Sequence, residues 1–351
     1  MAITKMANTS DQQKEKIIDE AKTHLEAVSL ERSTYREACK LSREKLKSTF
    51  TVSDEFQPPS PASHLPPKSH QITVHYSFDM TQQVHYPSDP FQPGPIYFLT
   101  PRKCGIFGIC CEAIPRQVTY LIDEAFNIGK GANSIVSMLH HFFEAHGLGE
   151  TSAHLHADNC AGQNKNRFMM YYLMWRVLIG LHNEIKISFL PVGHTKFAPD
   201  WCFGLMKQKF RRTKVGDLDD IANCVSRSSR VNVPQLIGSL DGTVFVPMYN
   251  WSGFFEQYTI KTALKGISHM HHFRFTADAP GSVFVKDTSN STEREIILLK
   301  DSSSEISPQQ FPPLLTPPGL STERQTYLFE KIREFCPAEK RDSVCPRPAG
   351  I

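Results

Sequence analysis

The chain has no C-x-x-C pair, no long apolar run and almost no charge imbalance, and each lack removes a class of function. Its nine cysteines, at 39, 104, 110, 111, 160, 202, 224, 336 and 345, are odd in number. That spacing excludes a zinc ribbon and argues against a disulfide framework, so reduced thiols in a nuclear or cytoplasmic protein are expected. The longest apolar run, Phe168 to Leu181, is too short to cross a bilayer and carries Arg176, so no membrane partner is expected. The opening MAITKMANTSDQQKEK lacks the apolar core of a signal peptide. Formal net charge is only +3, so any nucleic acid has to be held by local clusters of basic residues. No G-x-S-x-G occurs, and NIGKGANS (127–134) has Gly-Lys without the rest of a phosphate-binding loop.

What is present suits one good-sized domain with appendages, since domains run to roughly 150 residues. Hydrophobic residues make up 40% of the 351, with 23 Phe for an aromatic core and 24 Pro for extended stretches. One such stretch is 51–70, with five Pro, and a second runs from about 301 to 319. Within residues 1–50, the segment 10–49 has no Gly or Pro and reads as one long helix capped by Ser10 or Asp11. Ile18, Ala21, Leu25, Val28, Tyr35, Cys39 and Leu46 follow a loose heptad that Arg32 breaks. Such a helix either packs on its own domain or serves as a coiled-coil arm for a homodimer.

Residues 71–232 alternate strand and helix. ITVHYSFDM, the stretch PIYFLTPRKCGIFGICCEAI and RQVTYLIDEA supply three early strands. A helix (132–147), a strand (152–158), a helix apolar nearly all round (167–181), a strand (184–194) and a helix (199–212) follow. The order β β β α β α β α predicts an α/β fold, a mixed sheet with helices on both faces. Residues 233–300 read as a small β appendage of short strands without helices, and 301–351 as a Pro-rich linker and a tail with one short helix.

Three acids stand at the ends of these elements: Asp79 and Asp158 close strands, and Asp200 opens the last helix. On the first strand His75, Ser77 and Asp79 share a face; on the fourth His154, His156 and Asp158 do. Ligands of open α/β sheets collect at the carboxyl ends of neighbouring strands. Carboxylates gathered there suit Mg²⁺ or Mn²⁺, which take one or two carboxylates plus phosphate oxygens and serve in pairs in phosphoryl transfer. The bland alternative is that two strands end in solvated acids and Asp200 caps a helix. Asp158 opens DNCAGQNKNR, whose Lys165 and Arg167 can meet a phosphate, and Asp200 heads a stripe with Lys207 and Arg211. His269, His271 and His272 lack partners at metal-site spacing and read as the polar start of a strand.

Long motifs carry a resemblance. SFDMTQQVHYPSDPFQPGPIYFLTPRKCGIFGICCEAIPRQ, HLHADNCAGQNKNR, FLPVGHTKFAPDWCFG and MHHFRF resemble an uncharacterised domain of transposon-derived proteins of animal genomes. That family is similar to a divergent ribonuclease H-like transposase core. The resemblance implies Mg²⁺-dependent polynucleotidyl transfer or nuclease chemistry on DNA, with Asp79, Asp158 and Asp200 as metal ligands. His194 would be a nearby acid/base or phosphate contact. The family pattern often has Glu in the last helix, whereas Asp200 is shorter and sits at its start. A catalytically inactive relative that binds DNA or protein is the alternative.

Overall fold

Period-two alternation from His70 onward makes a strand, and β1 (His70–Tyr86) buries Ile72, Val74, Tyr76 and Phe78 on one side. The computed structural model describes residues 10–49, 65–91, 94–191, 193, 196–300 and 306–348. Most of the Pro-rich stretch 51–70 therefore lies outside the described residues, as does His194. Two strands follow in antiparallel succession: β2 (Arg102–Cys111), paired with β1, and β3 (Arg116–Asp123), paired with β2. Helix α2 (Ala132–His146) leads into β4 (Glu150–Ala157), which lies parallel to β1. Helix α3 (Arg167–Leu178) leads into β5 (Glu184–Phe189), parallel to β4. Helices α4 (Ala198–Phe210) and α5 (Leu218–Ser226) then precede β6 (Asn232–Leu236), which pairs with β3.

The expected β β β α β α β α succession is present, and the fold is mixed α/β. The segment 233–300, however, is neither a separate appendage nor free of helices. Helix α6 (Trp251–Glu256) packs Trp251 against Trp175 at 5.3 Å between ring centroids. Strands β7 (His272–Thr276), β8 (Ser282–Lys286) and β9 (Arg294–Ile297) continue the same sheet, in the order β6-β3-β2-β1-β4-β5-β7-β8-β9. The strands themselves are legible in the sequence, but the edge they join depends on β5 pairing with β7 across a long loop.

Two apolar layers sandwich the sheet. Tyr76, Phe78, Phe107, Ile109, Val118 and Tyr120 face α2, α3 and α6, and α3 is buried along its whole middle. Ile106, Leu121, Phe203, Met206 and Ile221 form the opposite layer, beneath α4 and α5. A bulge in β1 links the layers: Thr81 pairs with Ile106 but Val84 with Cys104, so β1 carries one extra residue. One residue of slip turns side chains to the other face. Even-numbered Tyr76 and Phe78 thus point into the first layer, while Val84 and Tyr86 point into the second.

Helix α1 (Asp11–Thr49) spans 39 residues and lies over β1 on the α4 side. It buries Val28, Glu31, Cys39, Ser42 and Leu46, and the His75 N–H donates to the Ser42 hydroxyl at 2.9 Å. Three apolar positions of the heptad, Val28, Cys39 and Leu46, are therefore taken up inside the chain. From Val28 onward the helix packs on its own domain rather than standing free as a dimer arm.

Candidate functional site

The polar face of β1 carries His75, Ser77, Asp79 and Thr81 in a row, and β4 carries His154 and His156 beside it, with Asp158 following. Parallel register sets His75 opposite His154, Ser77 opposite His156 and Phe78 opposite Ala157. Asp79 and Asp158 come next, side by side; Asp158 follows the end of β4, whereas Asp79, expected to close the first strand, lies in the middle of β1, which runs on to Tyr86. Helix α4 brings Asp200 over this edge, and Gly108 lets it approach. Gly108 pairs with Asp79 across β2, and a Cβ there would lie 2.7 Å from the Phe203 ring of α4. Farther along α4, Lys207 Nζ donates to the Thr81 hydroxyl at 2.7 Å.

Each carboxylate is held by one oxygen. Asp79 Oδ1 accepts from the Met80 N–H at 2.7 Å, and Asp158 Oδ1 accepts from Asn164 Nδ2 at 2.6 Å and the Cys160 N–H at 3.1 Å. Asp200 Oδ2 accepts from the Phe197 N–H at 3.2 Å. The other oxygen of each accepts no hydrogen bond among the described residues. Burial, then the charge of Asp158 and more weakly that of Asp200, pushes the Asp79 carboxyl up to about 7, against the pull of the Met80 N–H. Both acids thus face Asp79 closely enough to repel its charge. The three are nonetheless not drawn tightly together: among the described residues, the group of three His, Cys, Asp or Glu close enough to share an ion is His75, His154 and His156.

The basic residues divide. Lys165 is buried, donates to the Ser268 carbonyl at 2.9 Å and lies over the Phe189 ring, so it pins a loop rather than meeting a phosphate. Burial brings its ammonium down to about 8. Arg167 stacks over Phe168 and pairs with Glu256 at 3.7 Å. Lys207 and Arg211 do face a common opening. They line a groove of about 730 Å³ with Lys214, His85, Tyr97 and Phe210, continuing from the end of β1.

Sequence alone shows the histidines only as face-mates of the acids. The signal that marks them is H-x-H on one strand beside a lone His on another, and only strand register unites the two. His75 Nε2 lies 2.7 Å from His156 Nδ1, and His75 Nδ1 lies 3.3 Å from the Cys39 sulfur. Close by, Glu112 Oε1 accepts from the Ser77 hydroxyl at 2.6 Å and from the Tyr35 hydroxyl at 2.5 Å. Burial lowers the proton affinity of all three imidazoles well below the usual histidine range, so they are neutral near pH 7.

A family model described as a domain of unknown function (DUF7869) matches residues 101–293, more than half of the chain, and the chain belongs to that family. The matched span runs from β2 through β8 and includes Asp158, Asp200, His154 and His156; Asp79 and His75 precede it. No curated protein and no solved structure matches the chain. No helix among the described residues is long and apolar enough to cross a membrane.

Proposed function

We propose that this DUF7869 chain is a ribonuclease H-like, divalent-metal-dependent phosphoryl-transfer protein of transposase type that acts on the DNA backbone. The observation that carries the reading is the pair Asp79 and Asp158, adjacent where β4 ends beside the middle of β1, with Asp200 overhead. Each has one oxygen tied by a hydrogen bond and the other left over, as oriented ligands require. A frame of three antiparallel strands followed by two parallel ones through helical crossovers also supports it. These three acids would hold Mg²⁺ or Mn²⁺, which supplies charge to the phosphoryl oxygens and activates the attacking oxygen.

The chain's own groups do the rest. Lys207 and Arg211 draw the phosphate backbone along the groove toward Asp79, and Tyr97 and Phe210 offer faces on which unpaired bases stack. Asp79, whose pKa is about 7, keeps its proton for part of the time until an opposing charge arrives. Cation binding and loss of that proton are thereby coupled, so metal affinity rises as the pH passes 7.

A catalytically inactive DNA-binding relative is favoured by one fact, the spacing of the three carboxylates. Strand cleavage separates the two readings. The full chain incubated with supercoiled plasmid and Mn²⁺ should nick it, and Asp158→Asn should lose at least a hundredfold of that activity. Plasmid left intact by the wild type, with DNA binding retained, would leave the inactive relative standing. Binding itself should weaken steeply with salt. Replacing both Lys207 and Arg211 by Ala should flatten the salt slope by about two, one for each phosphate no longer neutralised. An unchanged slope would remove the groove from the DNA path.

A further inference from the structure

The geometry points to a second metal site, separate from the acids, in which His75, His154 and His156 bind a borderline transition ion of the Zn²⁺ class. Their ligating nitrogens all lie within 4.8 Å of one another. The ring centroids are 5.2 Å (75–154), 4.8 Å (75–156) and 4.6 Å (154–156) apart. Four residues of strand separate His75 from Asp79, roughly 13 Å at 3.3 Å per residue, so one ion cannot serve both groups.

The donor set fits this class of ion and not Mg²⁺. Neutral imidazole suits zinc, copper and nickel, whereas Mg²⁺ demands oxygen. The three rings are kept neutral by burial, so their lone pairs are available at neutral pH. Zinc–nitrogen bonds of about 2.0–2.1 Å in a tetrahedral site place the nitrogens roughly 3.3 Å apart. The 2.7 Å contact between His75 and His156 must open slightly while His154 closes in.

Hydrogen bonds behind the rings aim the lone pairs. His272 Nε2 lies 3.0 Å from the Glu31 carboxylate, outside hydrogen-bond geometry, and the negative charge there favours the tautomer with its proton on Nε2. His272 Nδ1 then accepts from the Ser188 hydroxyl at 2.9 Å, and Ser188 Oγ accepts from His154 Nε2–H at 3.0 Å. His154 Nδ1 is left with its lone pair. His75 turns Nδ1–H toward the Cys39 sulfur, which leaves its Nε2 lone pair to accept from His156 Nδ1–H. An arriving cation replaces that shared proton, which moves to His156 Nε2, so the ring stays neutral. Metal-binding histidines characteristically have such an outer partner on the second nitrogen.

There is also a way in. A groove of about 940 Å³ runs beside α1, with His75 and His154 on its floor and Glu37 and Glu44 among its lining. Zinc sites with three protein ligands keep a fourth position for water or substrate, and this groove would give one access. Helix α1 covers the site, with Tyr35 edge-on to His75 and His156 at 5.4 and 5.1 Å.

The test uses the full chain and the metals alone. Zn²⁺ titrated in competition with a chromophoric chelator should give one tight equivalent, and Co²⁺ should give the intense visible spectrum of a four-coordinate nitrogen site. The Asp79→Asn/Asp158→Asn double variant should keep that equivalent, since its acids belong to the other site. His154→Gln should lose it; His154 is the least buried of the three. Ser188→Ala should retain the site with affinity 10–100-fold lower. A wild-type Co²⁺ spectrum that is weak and six-coordinate, or a zinc equivalent that survives in His154→Gln, would overturn the site. The cobalt spectrum is read on the wild type, so it decides the matter even where a variant misfolds.

Discussion

At pH 8 and without metal, Asp79→Asn is expected to melt well above the wild type, whereas at pH 4 the two proteins should nearly coincide. The folded-state pKa of Asp79, about 7, lies above its ordinary value of 3.8. The folded protein therefore holds a proton that the unfolded chain gives up. Stabilisation from that proton is full below about pH 4 and is lost progressively as pH rises to 7. Above 7 the ionised carboxylate is buried and faces Asp158 and Asp200. Asn keeps the shape and cannot ionise, so it escapes the loss. At about 1.4 kcal/mol per pKa unit the ceiling is about 4 kcal/mol. Water reaching the half-buried carboxyl reduces this, and on the order of 2–4 kcal/mol should separate the proteins at pH 8. Ordinary surface substitutions stay within about 0.5 kcal/mol.

Metal closes most of the gap. A ligand bound only by the folded state contributes about 2.7 kcal/mol at a hundredfold excess over Kd. Mn²⁺ should raise the wild-type melting temperature at pH 8 by much of what Asp79→Asn gains without it, and should do little for the variant. Melting curves at pH 4 and pH 8, with and without Mn²⁺, give all eight values. Parallel pH profiles for the two proteins would mean that Asp79 does not face its neighbours' charges.

The residues show why some of this is legible in the sequence and some is not. Period-two alternation in β1 and the apolar run of α3 are local signals; both elements form, but β1 runs past its expected end near residue 80 to Tyr86, through a bulge that alternation does not show. Asp158 stands out because it follows a strand end, whereas Asp79, read as a strand end, lies within β1. Their adjacency does not stand out, since it needs β1 parallel to β4. The histidine group is hidden for the same reason: His75 meets His154 only through that register. Lys165 and Lys207 are indistinguishable in sequence, both being basic residues near an acid. Burial against Phe189 takes the first inward, and the second stays at the groove. The long helix allows two readings because a heptad seam and a core-facing stripe use the same spacing, and only the packing of Val28, Cys39 and Leu46 decides between them.

Asp123→Ala should destabilise the protein by about 3–5 kcal/mol, the cost of leaving a buried partner charge alone. Arg102 and Asp123 close β2 against β3 with side chains 4% and 0% exposed. The pair is bidentate, with Arg102 Nη2 to Oδ1 at 2.6 Å and Nε to Oδ2 at 2.9 Å. Tyr86, carried to this face by the β1 bulge, donates its hydroxyl to the same carboxylate. Without Asp123 the guanidinium stays buried with only the carbonyls of Val344 and Ser343. Removing both charges, as in Arg102→Met/Asp123→Leu, leaves no unpaired ion. It should cost less than Asp123→Ala alone, even after about 1 kcal/mol for each stranded hydroxyl or carbonyl. Guanidinium melts of the single and double variants measure the difference, and a double variant that falls by the sum of the singles would show that the two charges are not coupled. Because Arg102 also seats the tail at Val344, and Glu334, Phe335 and Pro337 form part of the groove wall, Asp123→Ala should weaken the proposed DNA binding at denaturant concentrations too low to unfold the sheet.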